Sequence, residues 1–171
     1  MDRRNILCLT SLAALGLAML PCSASAQQKS LKEQLTGAWT VVSIDNVTPD
    51  GKKQQPFGVN PKGILIFDAS GHFSQMQVPA NRAKFKSANR LDATPEESKV
   101  VSHDSLAQFG TWSVNEPDKT IILHIEGYLI PNQEGTESKR SITSITADEL
   151  KTTNPGPATG GKTESVYRRA M

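Results

Sequence analysis

His124 and Glu126 are the pair in this 171-residue sequence best placed to do chemistry together. They stand two apart in the run "TIILHIEGYLIPN" (120–132), so on an extended strand both side chains leave the same face. A histidine held by a carboxylate can take up or give back a proton near neutral pH, where its unperturbed pKa lies. Ile122 and Tyr128 share that face, while Ile121, Leu123 and Ile125 occupy the other. Two orientations follow. With the aliphatic face buried, His124 and Glu126 meet water. With the polar face turned inward they line a cavity and need partners, and Arg140, on the next apolar segment, is the available counter-charge.

A metal site fits these residues poorly. A catalytic zinc ion normally takes three protein ligands, and the other histidines, His72 and His103, show no matching spacing. His72 stands beside Gly71 at a turn, and His103 falls on a polar helical stretch. The sequence therefore predicts neither metal nor cofactor, and no nucleophile motif accompanies the histidine. "PFGVNPKG" (56–63) is a loop restrained by prolines; it either lays Phe57 over the mouth of a pocket or simply connects two strands. It has neither the glycine spacing nor the lysine-hydroxyl pair of a phosphate-binding loop. Phe109 and Trp112 share one strand at an odd offset, so they face opposite ways and only one lines the interior.

The elements that must position these residues begin after a leader. Arg3 and Arg4, the apolar stretch "ILCLTSLAALGLAMLP" and the small residues of Ala24-Ser25-Ala26 have the layout of a cleaved secretory signal over residues 1–26. Gln27 then opens one domain, 27–171, that is periplasmic or secreted. Cys22 follows Pro21 rather than a small residue, which argues against a lipid anchor, and the apolar run is short for a membrane span. Both cysteines, Cys8 and Cys22, leave with the signal, so neither a disulfide nor a thiolate site can form in the mature chain. Of 19 basic and 17 acidic residues in the whole chain, the leader removes only Arg3, Arg4 and Asp2. That near balance, without a basic tract, predicts no nucleic-acid partner.

The mature chain is a series of short apolar runs bounded by turn chemistry, which reads as antiparallel β. Eight strands are predicted: "AWTVVSID", "GILIFD", "HFSQMQV", "FGTWSVN", "KTIILHIEG", "SKRSITSIT", "ELKTTN" and "ESVYRRA". "DASG", "NEPD" and "ADE" reverse the chain between neighbours. "SLKE" and "TPEE" each place a hydroxyl three residues before a glutamate, the signature of a capped helix start. They predict a helical turn before the first strand and a helix from Pro95 into the 102–107 region, after an irregular loop over 79–92. Eight such strands avoid two long exposed edges by closing into a barrel, with a two-sheet sandwich as the alternative.

"TGAW" (36–39) after a short helical turn resembles the opening of lipocalins, all-β proteins with an eight-stranded antiparallel barrel. The resemblance implies that Trp39 closes the barrel floor under an arginine of the last strand, Arg168 or Arg169 in "VYRRA", with Arg168 assigned to it here; a guanidinium over an indole is a favourable contact. "LTGAWTVVS", "PFGVNPKGILIFDASGHFS", "FGTWSV", "HIEGYLIPNQEG" and the later "KR" together resemble the lipocalin-like domain family of small bacterial proteins, whose pattern carries the same histidine, glutamate and arginine. Gln108 and Gln133 stand where that pattern favours aromatics, which makes the implied pocket more polar.

The expectation is an exported barrel, monomeric or weakly associated, that binds a small, partly apolar molecule through Phe57, Trp112, His124, Glu126, Tyr128 and Arg140. An isomerase- or hydrolase-like enzyme using His124 and Glu126 is the alternative, and requires both side chains inside. An envelope interaction protein is the third possibility, with a filled barrel under an exposed apolar patch.

Overall fold

A computed structural model describes residues 29–157 and 161–171, so the expected export signal lies outside the described residues. Both predicted capping boxes form. Ser30 and Glu33 bond each other's backbone N–H groups at the start of α1 (Leu31–Leu35), and Thr94 and Glu97 do the same for α2 (Pro95–Asp104), where Pro95 occupies the first turn. The Glu97 carboxylate also accepts the Lys86 N–H at 2.9 Å, tying the irregular loop to the helix start. Among the described residues no helix is long and apolar enough to cross a membrane.

All eight predicted strands are present as β1 (Gly37–Val47), β3 (Lys62–Phe67), β4 (His72–Val78), β5 (Leu106–Asn115), β6 (Thr120–Tyr128), β7 (Glu137–Ile145), β8 (Glu149–Asn154) and β9 (Lys162–Arg169). A two-residue strand, β2 (Lys53–Gln54), adds a short pairing at the end of β1. Each long strand pairs antiparallel with its neighbour in sequence, and β9 pairs back onto β1 from Trp39↔Arg169 to Val47↔Lys162. That last pairing closes an eight-stranded barrel and leaves none of the eight an open edge.

Strand direction sorts the connections to two ends. The end holding α1 has the three tight turns; the Asp68 carboxylate in the first of them accepts the His72 N–H at 2.8 Å and the Ser70 hydroxyl. Glu116, in the second, accepts the N–H groups of Leu31 and Lys32, which fastens α1 across the bottom. The other end carries the long connections, including "PFGVNPKG" and α2.

Side chains that point inward change character between these ends. Near α1 they are Leu35, Trp39, Leu65, Phe67, Phe73, Trp112, Ile121, Leu123 and Leu150, all buried. Moving toward the other end, Phe73 gives way to Gln75 and Gln77 along β4, Trp112 to Gln108 along β5, Ile142 to Arg140 along β7, Leu150 to Thr152 along β8 and Tyr167 to Ser165 along β9. Half the barrel is thus a packed apolar core, and in the other half polar groups enter the wall beside apolar ones. Outside, over β3 to β5, Ile64, Ile66, Met76 and Phe109 remain exposed.

Candidate functional site

The floor is built on Trp39. Its indole N–H donates to the Leu35 carbonyl at 2.8 Å, which holds the ring beneath α1. A guanidinium lies 4.0 Å above the ring centroid, and it belongs to Arg169 rather than to the assigned Arg168. The reason is strand alternation: Ser165 and Tyr167 point inward, Arg169 shares their parity, and Arg168 faces solvent. Arg169 donates to the carbonyls of Gln34 at 2.6 Å, Thr36 at 3.2 Å and Ala147 at 2.5 Å. The first two are carbonyls at the end of α1 that the helix itself cannot pair.

Above this floor a cavity of about 670 Å³ occupies the other half of the barrel. Ile44, Leu106, Ile125 and Ile130 give it apolar wall, and Gln75, Gln77, Gln108, Thr152 and Ser165 give it polar wall. Of the expected binding residues, Phe57, Tyr128 and Arg140 border it. Phe57 comes from the proline-restrained loop at the mouth and also packs on the core.

His124 and Glu126 do not border it, and here the expectation is corrected. Ile121, Leu123 and Ile125 turn inward, so His124 and Glu126 lie exposed on the outer wall. The choice follows from burial: the aliphatic face gains more by leaving water than the polar face would. With both side chains outside, the basis for an acid/base pair acting on a molecule in the barrel is removed. Trp112 is corrected too. It is the inward member of the Phe109/Trp112 pair, but it belongs to the floor, where its ring packs on Phe67 at 4.6 Å between centroids and its N–H donates to the Asp68 carbonyl at 3.0 Å.

Tyr128 reaches the cavity although simple alternation puts it on the face of His124 and Glu126. In the β5–β6 ladder Phe109 pairs with Gly127 and Gly110 with Ile125, so Glu126 is an unpaired extra residue. This bulge puts Glu126 and Gly127 on the outside in succession and returns Tyr128 to the inside, opposite Gln108. Two glycines permit it. A Cβ on Gly110 would fall 2.0 Å from the His124 carbonyl oxygen, and one on Gly127 would enter the Phe109 ring. Burial pushes the Tyr128 hydroxyl pKa up, with Arg140 opposing the shift.

Arg140 reaches across the interior from β7 to β4, where it donates to Gln75 Oε1 at 2.9 Å. The same oxygen accepts Gln108 Nε2 at 2.7 Å, and Gln75 Nε2 donates to Gln77 Oε1 at 3.0 Å. The counter-charge role expected for Arg140 is therefore also corrected: its partner is an amide within the barrel, since His124 and Glu126 lie across the wall. Gln75 and Gln77 were outside the expected site. Their signal is that they share parity with Phe73 in "HFSQMQV", while the more apolar Met76 takes the outside.

The lipocalin-like domain model matches residues 36–169. No curated protein matches the chain. Solved structures with similar architecture include a lipocalin-like protein from Bacteroides uniformis, 15% identical over 80% of this chain and 99% of that one, with a TM-score of 0.43. A redesigned β-barrel is 14% identical over 84% of this chain and 100% of its own, with a TM-score of 0.44. Bovine odorant binding protein, in complex with a selenium-containing odorant, is 17% identical over 84% of this chain and 74% of its own, with a TM-score of 0.40.

Proposed function

This chain belongs to the lipocalin-like domain family, and we propose that it is an exported small-molecule-binding protein that holds a partly apolar ligand in the open half of its barrel. The observation that carries the reading is the cavity of about 670 Å³ above the packed floor. Ligand pockets commonly fall between roughly 300 and 1,000 Å³ and combine apolar wall with a few placed polar groups. Phe57, Tyr128 and Arg140 are the binding residues retained in this reading. It acts as a monomer or weak oligomer, in the periplasm or outside the cell, after cleavage near Ala26. The interaction-protein reading needed a filled barrel under an apolar patch; the patch over β3 to β5 is present, the filling is not.

Native mass spectrometry of the protein purified from its own envelope or medium tests this. The expected result is a polypeptide beginning at Gln27 with an added small-molecule mass that is lost on organic extraction. A bare polypeptide in every preparation, together with no uptake of the neutral fluorophore N-phenyl-1-naphthylamine, would refute it.

A further inference from the structure

The cavity carries a charge that the protein does not balance. Arg140 is 8% exposed and borders the cavity, and a guanidinium stays charged at any working pH. Among the described residues it donates one hydrogen bond, to Gln75, and takes part in none of the ion pairs. Gln75 cannot neutralise it: the amide oxygen already serves Gln108 as well. The side chains that share the interior, Gln75, Gln77, Gln108, Thr152, Ser165 and Tyr128, are neutral. Glu137, Lys139 and His103 also border the cavity, but all three are exposed, Glu137 and Lys139 have the opposite parity to Arg140 along β7, and the Glu137 carboxylate forms no ion pair with Arg140. A buried cation without an anion is costly, and the cost falls when a ligand supplies the anion.

We propose that the molecule bound in this cavity is an organic carboxylate, its head group on Arg140 and its apolar body against Ile44, Phe57, Leu106, Ile125 and Ile130. This rests on the small-molecule-binding reading above and names the ligand class for that same site. The planar fork of a guanidinium matches the two oxygens of a carboxylate. Most of that fork is left for the ligand, because Gln75 engages only Nη2. Gln75, itself fixed by Gln108, holds the arginine, so the head group meets a positioned donor. Tyr128, kept protonated by its surroundings, adds a hydroxyl donor on the same wall.

The test uses the mature protein loaded with N-phenyl-1-naphthylamine and displaced, at about pH 8 where carboxylic acids are ionised, by two matched pairs. These are decanoate against decanol, and 2-naphthoate against 2-naphthol, so that linear and aromatic acids are distinguished. The expected result is that at least one acid displaces the fluorophore at a concentration about tenfold or more below its neutral partner, the scale of a charge-assisted hydrogen bond. That preference disappears in Arg140→Met and is reduced in Arg140→Lys, which keeps the charge and loses the fork. Near-ultraviolet circular dichroism checks that both variants are folded, and the acid-to-neutral ratio in the native protein is a test that needs neither. If the fluorophore enters but neither acid is preferred, or if the preference survives in Arg140→Met, the carboxylate assignment falls and the small-molecule reading stands. If neither the fluorophore nor any competitor binds, both fall.

Discussion

Two arginines mark the two ends of this barrel, and their surroundings are opposite. Arg169 stacks on Trp39 at 4.0 Å and donates to three backbone carbonyls, so each nitrogen of its guanidinium is engaged by the chain that carries it. Arg140, deeper in the fold, has a neutral amide as its one hydrogen-bond partner among the described residues and looks into a cavity of about 670 Å³. A cation whose partners are supplied internally stabilises the native state; a buried cation without an anion weakens it until something binds. The contrast separates a floor whose cation is satisfied by its own chain from an open half whose cation is not.

The largest effect is expected at the floor. Trp39→Ala removes a fully buried indole and the surface on which Arg169 rests, and should cost about 3–5 kcal/mol in denaturant unfolding. Substituting each arginine by methionine sets the two ends against each other. Arg169→Met removes the donor from the part-buried carbonyls of Gln34 and Thr36 and the cation from Trp39, and should lose about 2–4 kcal/mol, whereas Arg140→Met removes an unbalanced charge and should leave stability unchanged or raise it by about 1–3 kcal/mol. Equal losses for the two variants would break the comparison.

The ends should also respond to opposite extremes of pH. At the floor, hydrogen bonds from the His72 N–H and the Ser70 hydroxyl hold the Asp68 carboxyl below its usual pKa. A depressed carboxyl contributes stability above its unfolded pKa, and that contribution is lost as pH falls through the folded value, from about pH 4 downward. At the cavity, burial raises the Tyr128 pKa, so its contribution is present below about pH 10 and is lost as pH climbs through the folded value. Melting curves across pH should show the acid limb flattened in Asp68→Asn and the alkaline limb flattened in Tyr128→Phe. The smallest effect belongs to the outer wall: His124→Ala and Glu126→Ala should each stay within about 0.5 kcal/mol of the native stability and leave fluorophore binding unchanged. A loss of binding in either would show that the outer wall reports on the cavity.

Legibility in the sequence tracked how local each feature is. The capped starts of α1 and α2 depend on side chains three residues apart, and both form as read. The long strands depend on apolar runs and turn residues, and all eight form, while the Lys53–Gln54 pairing is too short to leave a pattern. The site was harder because it depends on which face of each strand turns inward. Parity alone grouped Tyr128 with His124 and Glu126; an unpaired Glu126 in the β5–β6 ladder separates them. Parity also distinguishes Arg169 from Arg168 once the inward residues of β9 are known, and those become known only when β9 closes onto β1.

By itself the sequence determined an all-β chain of eight antiparallel strands and two capped helical segments, because periodicity, turn chemistry and capping act over a few residues; the tryptophan floor was what the resemblance to lipocalins implied. Tertiary structure alone decided that the interior passes from aromatic to polar along the axis, that a bulge carries Tyr128 back inside, and that Arg140 spans the interior to Gln75. These are distances between strands far apart in sequence, and no local pattern encodes them. The physical reason is closure: the pairing of β9 with β1 gives every strand an inside, and only then does an arginine on β7 have an amide on β4 to reach.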